Sequence, residues 1–299
     1  MDALSIYGLH KRFGEKKILN GLNLSVPEHS IFGFIGKNGA GKTTTMKIIL
    51  GLLESDSGYI EVMGKRVSFG QTPTNRYVGY LPDVPEFYPF MTAKEYLSFC
   101  AEISGLDKSI GEKRCSELLS LVGLAEEKHR IKGFSRGMKQ RLGIAQALLG
   151  SPKLLICDEP TSALDPIGRK EILDILMSVR SETTVLFSTH ILSDVERVCS
   201  DVAFLEDGVI KITGKLSDIK SKYRREEYII DLENKTDQTL ILNEFSSVRR
   251  GESNQLILSE EEEDLFDLLG YIKDRRIPVL KIERAEPTLE SLFMEVAGK

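Results

Sequence analysis

This 299-residue sequence has no long apolar run, no paired cysteine motif and no surplus of basic charge. Each absence removes a class of protein. No stretch approaches the roughly 18 consecutive apolar residues that a membrane-crossing helix needs. The first residues, Met1-Asp2-Ala3-Leu4, lack the charged-then-apolar pattern of a secretory signal. Any role at a membrane is therefore expected to come through another chain. The four cysteines, Cys100, Cys115, Cys157 and Cys199, form no C-x-x-C pair and all sit in apolar surroundings. Buried free thiols in a reducing cytosol are expected, ahead of a metal site. The net charge is −5, from 40 Lys+Arg against 45 Asp+Glu, so nothing advertises a nucleic-acid partner. Neither an internal repeat nor a low-complexity linker is visible.

What is present is ordinary for a globular protein of one or two domains: 41% hydrophobic and 28% charged residues. The charge is unevenly spread. Residues 1–214 are neutral overall, while residues 215–299 carry 19 acidic against 14 basic side chains. That shift supports a boundary near 215, with domains at 1–214 and 215–299.

One stretch dominates the first domain. Gly36-Lys37-Asn38-Gly39-Ala40-Gly41-Lys42-Thr43-Thr44 reads G-x-x-x-x-G-K-[ST]. Before it stands the apolar run Ile31-Phe32-Gly33-Phe34-Ile35, a buried strand. After it stands Thr45-Met46-Lys47-Ile48-Ile49-Leu50, a helix. Glycines let the backbone curl and approach a phosphate with no Cβ in the way. Successive N–H groups then form an anion nest, reinforced by the helix N-terminus. Lys42 is expected on the β/γ-phosphates and the Thr43 hydroxyl on Mg²⁺.

Around this loop the chain alternates strand and helix. Strands are expected at residues 4–9, 18–26, 58–63 and 77–81. Between about 85 and 150 the texture is helical. Thr92-Ala93-Lys94-Glu95 and Ser109-Ile110-Gly111-Glu112 each read as a capping box, and Gly123 ends the second helix. Strands return at 154–157 and 183–187, each followed by a helix, at 167–179 and 192–198. A hairpin over Asp207-Gly208 joins strands at 202–205 and 209–212. In the last domain, after a connecting helix at 216–222, strands are expected at 228–232, 240–242, 256–258 and 278–282. Ser259-Glu260-Glu261-Glu262 reads as a helix cap, and the glutamate run there as a solvated helix start. Leu289, Leu292, Phe293 and Val296 form a final helical stripe, read as core.

Leu154-Leu155-Ile156-Cys157-Asp158-Glu159 is an apolar strand ending in two carboxylates. Open α/β sheets bind ligands at that edge. Asp158 is expected to hold Mg²⁺ beside Thr43, and Glu159 to take a proton from the water attacking the γ-phosphate. An Asp-Glu pair before a proline also fits a capped helix start; behind a phosphate loop the functional reading is favoured.

Taken with four further stretches, these residues resemble the ATP-binding subunits of ABC transporters. Phe134-Ser135-Arg136-Gly137-Met138-Lys139-Gln140 stands where the family's signature L-S-G-G-Q lies. Ser162-Ala163-Leu164-Asp165 has the spacing of its D-loop, Ser188-Thr189-His190 that of its switch histidine, and Phe13 that of the aromatic stacking on adenine. The resemblance implies ATP and Mg²⁺ as cofactors and a head-to-tail dimer around two ATP. Glu159, His190 and Lys42 serve catalysis from one subunit. Ser135, Arg136 and Gly137 complete the site from the other, with Asp165 at the seam. Arg136 and Met138 depart from the signature, toward the F/Y-S-[KR]-G-M-[KS]-Q form of simple exporter ATPases. Asp83 stands where the family has glutamine; as an acceptor it can still approach Mg²⁺. The aromatic loop Pro85-Glu86-Phe87-Tyr88-Pro89-Phe90 lies in the region that faces the membrane subunit in the family, or packs within the helical insertion.

The last 85 residues resemble the C-terminal extension of the same exporter ATPases, down to Glu286-Pro287-Thr288-Leu289-Glu290-Ser291-Leu292-Phe293. The implied fold is α/β: a phosphate-loop ATPase with a mostly parallel core sheet, an antiparallel β layer and a helical insertion, plus a small α+β accessory or regulatory domain. The implied function is ATP hydrolysis for an exporter. The partner is an integral membrane permease, the location the inner face of the cell membrane, and no nucleic acid is involved. A soluble ABC-type ATPase or a nucleotide-binding regulator is the alternative. Coiled coils between the motif halves and a second phosphate loop, which the main soluble relatives carry, are both missing here.

Overall fold

Two long strands open the chain, β1 (Asp2–Phe13) and β2 (Lys16–Pro27), paired antiparallel. They are followed by β3 (Ile31–Ile35), α1 (Lys42–Ile49), β4 (Ser57–Val62), the two-residue β5 (Lys65–Arg66) and β6 (Val78–Leu81). The helices α2 (Ala93–Ile103), α3 (Lys108–Leu121) and α4 (Arg136–Leu148) come next. Then come β7 (Leu154–Asp158), α5 (Pro166–Val179), β8 (Thr184–Thr189), α6 (Leu192–Val198), β9 (Asp201–Glu206) and β10 (Val209–Lys215). This computed structural model describes residues 1–70, 73–222, 227–251, 253–259, 262–285 and 288–292. The chain divides into two compact units, Met1–Leu216 and Ser217–Lys299.

In the first unit one sheet runs β10-β9-β3-β8-β7-β6, parallel except for β10, which pairs antiparallel at the edge. Every residue of β3, β7 and β8 is buried, as central parallel strands covered on both faces require. A second, antiparallel sheet runs β2-β1-β4-β5. Between them lies a core joining Leu4, Ile6, Leu22 and Ile60 to Phe32, Phe34, Ile156 and Leu186, with Met46 and Ile49 of α1. Burying each such side chain contributes about 1.5–3 kcal/mol. This core pins α1 and so its N-terminus, where the phosphate loop ends.

The parallel register decides what meets at the sheet edge. Leu81 pairs with Cys157, Cys157 with Phe187, Asp158 with Ser188, and Ile35 with Thr189. Strands β6, β7, β8 and β3 therefore end together, and Asp83, Glu159, His190 and Gly36 follow those ends.

Local chemistry shapes the helices. Thr92 caps α2: its hydroxyl accepts from Glu95 N while the Glu95 carboxylate accepts from Thr92 N. Those bonds hold Glu95 below its usual pKa. The second expected box is corrected. Helix α3 starts at Lys108, and Asp107 is its cap, accepting from Ser109 N at 3.0 Å. Asp at the cap, two residues earlier, outcompetes Ser109 because a carboxylate is the stronger acceptor. Asp207 and Gly208 both take positive φ, 47° and 76°, in the hairpin between β9 and β10.

All four cysteines are free; Cys115 and Cys157 are buried, while Cys100 and Cys199 are half-buried. Burial pushes all four thiols above their ordinary pKa. Among the described residues no helix is long and apolar enough to cross a membrane.

After the short helix α7 (Leu216–Lys222), the second unit has the order β-α-β-β-α-β: β11 (Glu227–Leu232), α8 (Lys235–Glu244), β12 (Val248–Arg250), β13 (Gln255–Ser259), α9 (Glu262–Asp274) and β14 (Val279–Arg284). Its antiparallel sheet runs β12-β13-β11-β14, a ferredoxin-like arrangement. Residues 240–242, expected as a strand, lie within α8. A three-residue apolar run carries no period of its own. The wider stripe of buried Gln238 and Ile241 with Leu242 and Phe245 is helical. The three-residue β12 was not expected. Leu289 and Leu292 are buried. Phe293, Val296, Glu286, Pro287 and the start of the 259–262 cap at Glu260 and Glu261 lie outside the described residues.

Candidate active site

The phosphate loop leaves β3 at Gly36 and enters α1 at Lys42. Two glycines are required by their surroundings. A Cβ on Gly36 would stand 2.6 Å from Leu205 O, and Gly41, at φ 113°, would meet Leu19 at 2.8 Å. Lys42 is 6% exposed, and its Nζ donates to Gly36 O at 2.6 Å. The ammonium is thus folded back across the loop, over the nest.

At the end of β7 the two carboxylates part. Asp158 stays in the strand: Thr43 Oγ1 donates to its Oδ2 at 2.8 Å and Ser188 Oγ to its Oδ1 at 2.6 Å. Glu159 has φ 48°, a left-handed conformation unusual outside glycine. Strain of this kind clusters at functional sites. It is held by Glu159 N, which donates to Ser188 O and Ser188 Oγ, each at 3.1 Å. The turn swings the side chain away from Asp158. Its Oε1 lies 3.3 Å from Lys42 Nζ and its Oε2 2.9 Å from His190 Nδ1. Glu159 Oε1 is buried yet accepts no hydrogen bond. Its partner is the Lys42 ammonium, met as an ion pair rather than an aligned hydrogen bond.

These groups open on a cavity of about 410 Å³ lined by Lys16, Ile18, Asn38, Gly39, Gly41, Lys42, Thr43, Thr44, Asp83, Asp158 and Glu159. Ser188, Lys16 and Ile18 were missed by sequence reasoning as site residues. Ser188 sits directly before Thr189 and His190, but its bond to Asp158 depends on the β7–β8 register. Phe13 is not among the lining residues. It lies at the hairpin end, half exposed, paired in the ladder with Lys16 and with Lys11 Nζ 5.5 Å from its ring centre.

Ser135, Arg136 and Gly137 also stand outside the lining. Ser135 caps α4, accepting from Met138 N at 3.2 Å. Arg136 donates to Asp83 Oδ1 at 3.2 Å, and Gln140 Nε2 to Asp83 O at 2.6 Å. The start of α4 thus grips the loop that bears Asp83. Asp165 caps α5, accepting from Gly168 N at 3.0 Å. In the aromatic loop Phe87 and Tyr88 pack edge-on or tilted against Tyr96 of α2, while Tyr88 and Phe90 stay exposed.

The donors around Asp158 are oxygens only, a carboxylate and hydroxyls, which suits Mg²⁺. Chemically the cavity offers a nest with a buried cation for phosphates, hard oxygens for a small divalent ion and a carboxylate, set between Lys42 and His190, for a water.

Comparison with known proteins agrees with this chemistry. Residues 19–162 match the family model described as ABC transporter, and residues 214–297 that described as ATP-binding protein DrrA1-3-like, C-terminal domain. The chain is 37% identical over 296 residues to the uncharacterized ABC transporter ATP-binding protein YxlF of Bacillus subtilis, spanning 98% of this chain and 99% of that one. It is 36% identical over 297 residues to the bacitracin transport ATP-binding protein BcrA of Bacillus licheniformis, spanning 97% and 95%. A solved structure of an ATP-binding subunit of an ABC transporter superposes with TM-score 0.66 at 33% identity, over 74% of this chain and 93% of that one. The chain belongs to the ATP-binding proteins of ABC transporters, ATPases whose hydrolysis of ATP is coupled to transport.

Proposed function

We propose that this chain is the ATP-hydrolysing subunit of an exporter, closing head to tail with a second ATPase subunit around two ATP and driving a separate membrane permease. One observation carries the dimer. The start of α4, a helix N-terminus suited to a phosphate, contributes nothing to the lining of its own subunit's cavity. Ser135 and Gly137 are then free to meet the γ-phosphate of a partner's ATP, with Asp165 near the seam. The export reading is supported by the form Phe134-Ser135-Arg136-Gly137-Met138-Lys139-Gln140 and by the relative concerned with bacitracin transport. The location that follows is peripheral, on the inner face of the cell membrane through the permease. Residues 215–299 act as an accessory or regulatory domain.

In the proposed reaction the loop N–H groups and Lys42 hold the β/γ-phosphates, and Phe13 stacks on adenine. Thr43 and Asp158 would hold Mg²⁺, which neutralises phosphate charge when bound. Glu159 takes the proton of the attacking water. His190, on the far oxygen of Glu159, keeps that carboxylate aimed and answers to the γ-phosphate.

Ser135→Arg tests the dimer. The isolated subunit should keep its ATP affinity, because Ser135 serves the other subunit's nucleotide, while hydrolysis is lost. A mixed dimer with one wild-type subunit should retain at most one working site. Collapse of ATP binding in the isolated variant would place Ser135 in its own site instead.

Asp83 borders the cavity and pairs with Arg136, so its substitution has two consequences to separate. Asp83→Asn is expected to raise the Mg²⁺ concentration for half-maximal turnover. Arg136→Gly removes the ion pair but leaves the carboxylate, and its Mg²⁺ titration should match wild type. Equal shifts in both variants would make the ion pair, rather than the metal, responsible.

A further inference from the structure

No step described above uses Arg169 or Asp194, yet the two form an ion pair between helices, the arginine partly exposed and the carboxylate buried. Arg169 Nη2 donates to Asp194 Oδ1 at 2.5 Å and to Ser193 Oγ at 3.3 Å. The Asp194 side chain is only 5% exposed. A carboxylate taken out of water is costly to keep charged without a partner, so Asp194 commits Arg169 to this place. The pairing is also incomplete. Asp194 Oδ2 and Arg169 Nε are both buried with no hydrogen-bond partner. A pair selected for stability alone would use both oxygens in the two-pronged geometry that arginine favours.

Its position gives it another use. Arg169 lies in the first turn of α5, and its N–H donates to the carbonyl of Asp165 at 2.9 Å. Asp194 lies in the first turn of α6, four residues after His190, and its N–H donates to Ile191 O at 3.2 Å. The ion pair thus ties the helix start that displays Asp165 to the helix start that displays His190. An outer contact, Arg197 Nη2 to Asp174 Oδ1 at 3.2 Å, runs between the same two helices. Beneath, Val195 of α6 packs so tightly on β3 that a Cβ on Gly33 would meet it at 2.9 Å. With α6 seated on β3, the pair sets where α5 stands relative to it.

We infer that Arg169 and Asp194 are positioning residues for hydrolysis: they register α5 against α6 and so hold His190 on Glu159 when Asp165 is engaged at the dimer seam. The inference rests on the roles proposed above for His190 and Asp165. Neither residue lines the cavity, so the pair should govern turnover and leave nucleotide binding alone.

The test is a set of steady-state ATPase measurements on the full chain, with thermal melts to confirm folding. Arg169→Met and Asp194→Asn are each expected to lower kcat about tenfold with KM for ATP within about twofold of wild type. The double variant should be no slower than either single one, since both remove one contact. In a His190→Ala background, followed with radiolabelled ATP, Arg169→Met should slow turnover no further. Wild-type kcat in both single variants overturns the proposal, as does a raised KM with kcat retained. If Arg169→Met does not fold, Asp194→Asn, which keeps the side chain's shape, carries the same comparisons. If His190→Ala itself turned over at the wild-type rate, the role given to His190 would be wrong. If it were slow and Arg169→Met slowed it a further tenfold, the role would stand and the positioning inference would fail.

Discussion

A Glu159→Gln chain is expected to bind ATP at least as tightly as wild type and to hydrolyse it roughly 10²–10⁴-fold more slowly. The loss corresponds to about 3–5 kcal/mol of barrier. The geometry explains why binding and chemistry separate here. Phosphate charge is met by Lys42 and the loop N–H groups, and the substitution leaves the Lys42 ammonium in place while removing the carboxylate that competes for it. Glu159 contributes one oxygen held by His190 at 2.9 Å and another that accepts no hydrogen bond. Glutamine keeps the shape but cannot take a proton. It also removes the repulsion between a carboxylate and the γ-phosphate, which favours the ATP-bound state. The closed pair should therefore accumulate. Size-exclusion chromatography with light scattering should show an ATP-dependent shift from monomer to dimer, strong in the variant and weak in wild type, which hydrolyses its way out. Near wild-type turnover in Glu159→Gln would move the general base elsewhere, with His190 the next candidate.

Lys42→Ala should abolish measurable hydrolysis and weaken ATP binding about 10- to 100-fold. Charge-assisted hydrogen bonds to a phosphate are each worth about 1.5–3 kcal/mol, and 1.4 kcal/mol is tenfold in affinity. Lys42 supplies the full positive charge that the nest of partial charges cannot. Its removal has a second effect that Glu159 makes visible. Glu159 Oε1 would lose its nearby cation, 3.3 Å away, and face the phosphates as an uncompensated carboxylate. The repulsion adds to the lost contact. It follows that Glu159→Gln in the Lys42→Ala background should recover part of the lost affinity, read by equilibrium binding of a fluorescent ATP analogue. Unchanged turnover in Lys42→Ala would remove the nucleotide from the loop.

The sequence was most readable where the physical cause is local. A buried strand, a glycine-rich turn and a helix start lie within residues 31–50, so the phosphate loop needs no distant partner to be recognised. The Thr92 capping box was legible for the same reason, since both its bonds span three residues. The same locality misled at Ser109, where Asp107 two positions earlier made the better cap. It also misled at residues 240–242, where three apolar residues were too few to show a period and Leu240, in the middle of α8, is 42% exposed.

By itself the sequence determined that a phosphate loop, a carboxylate pair at a strand end, a signature-like stretch and a histidine after a later strand occur in one order and spacing. Their chemistry belongs to the residue types, and strand–turn–helix context is written in short-range hydrophobic pattern. Only the tertiary structure decided which of them touch. Ser188 holds the Asp158 carboxylate and the backbone N–H of Glu159 because β7 and β8 pair Asp158 opposite Ser188. Arg136 meets Asp83 across 53 positions, and Arg169 meets Asp194 across 25. The Ser188 contact depends on the register of parallel strands, the other two on how helices pack beside the sheet. Parallel strands are joined by long crossovers, so the partners that meet lie far apart in sequence and no run of neighbouring residues shows the contact.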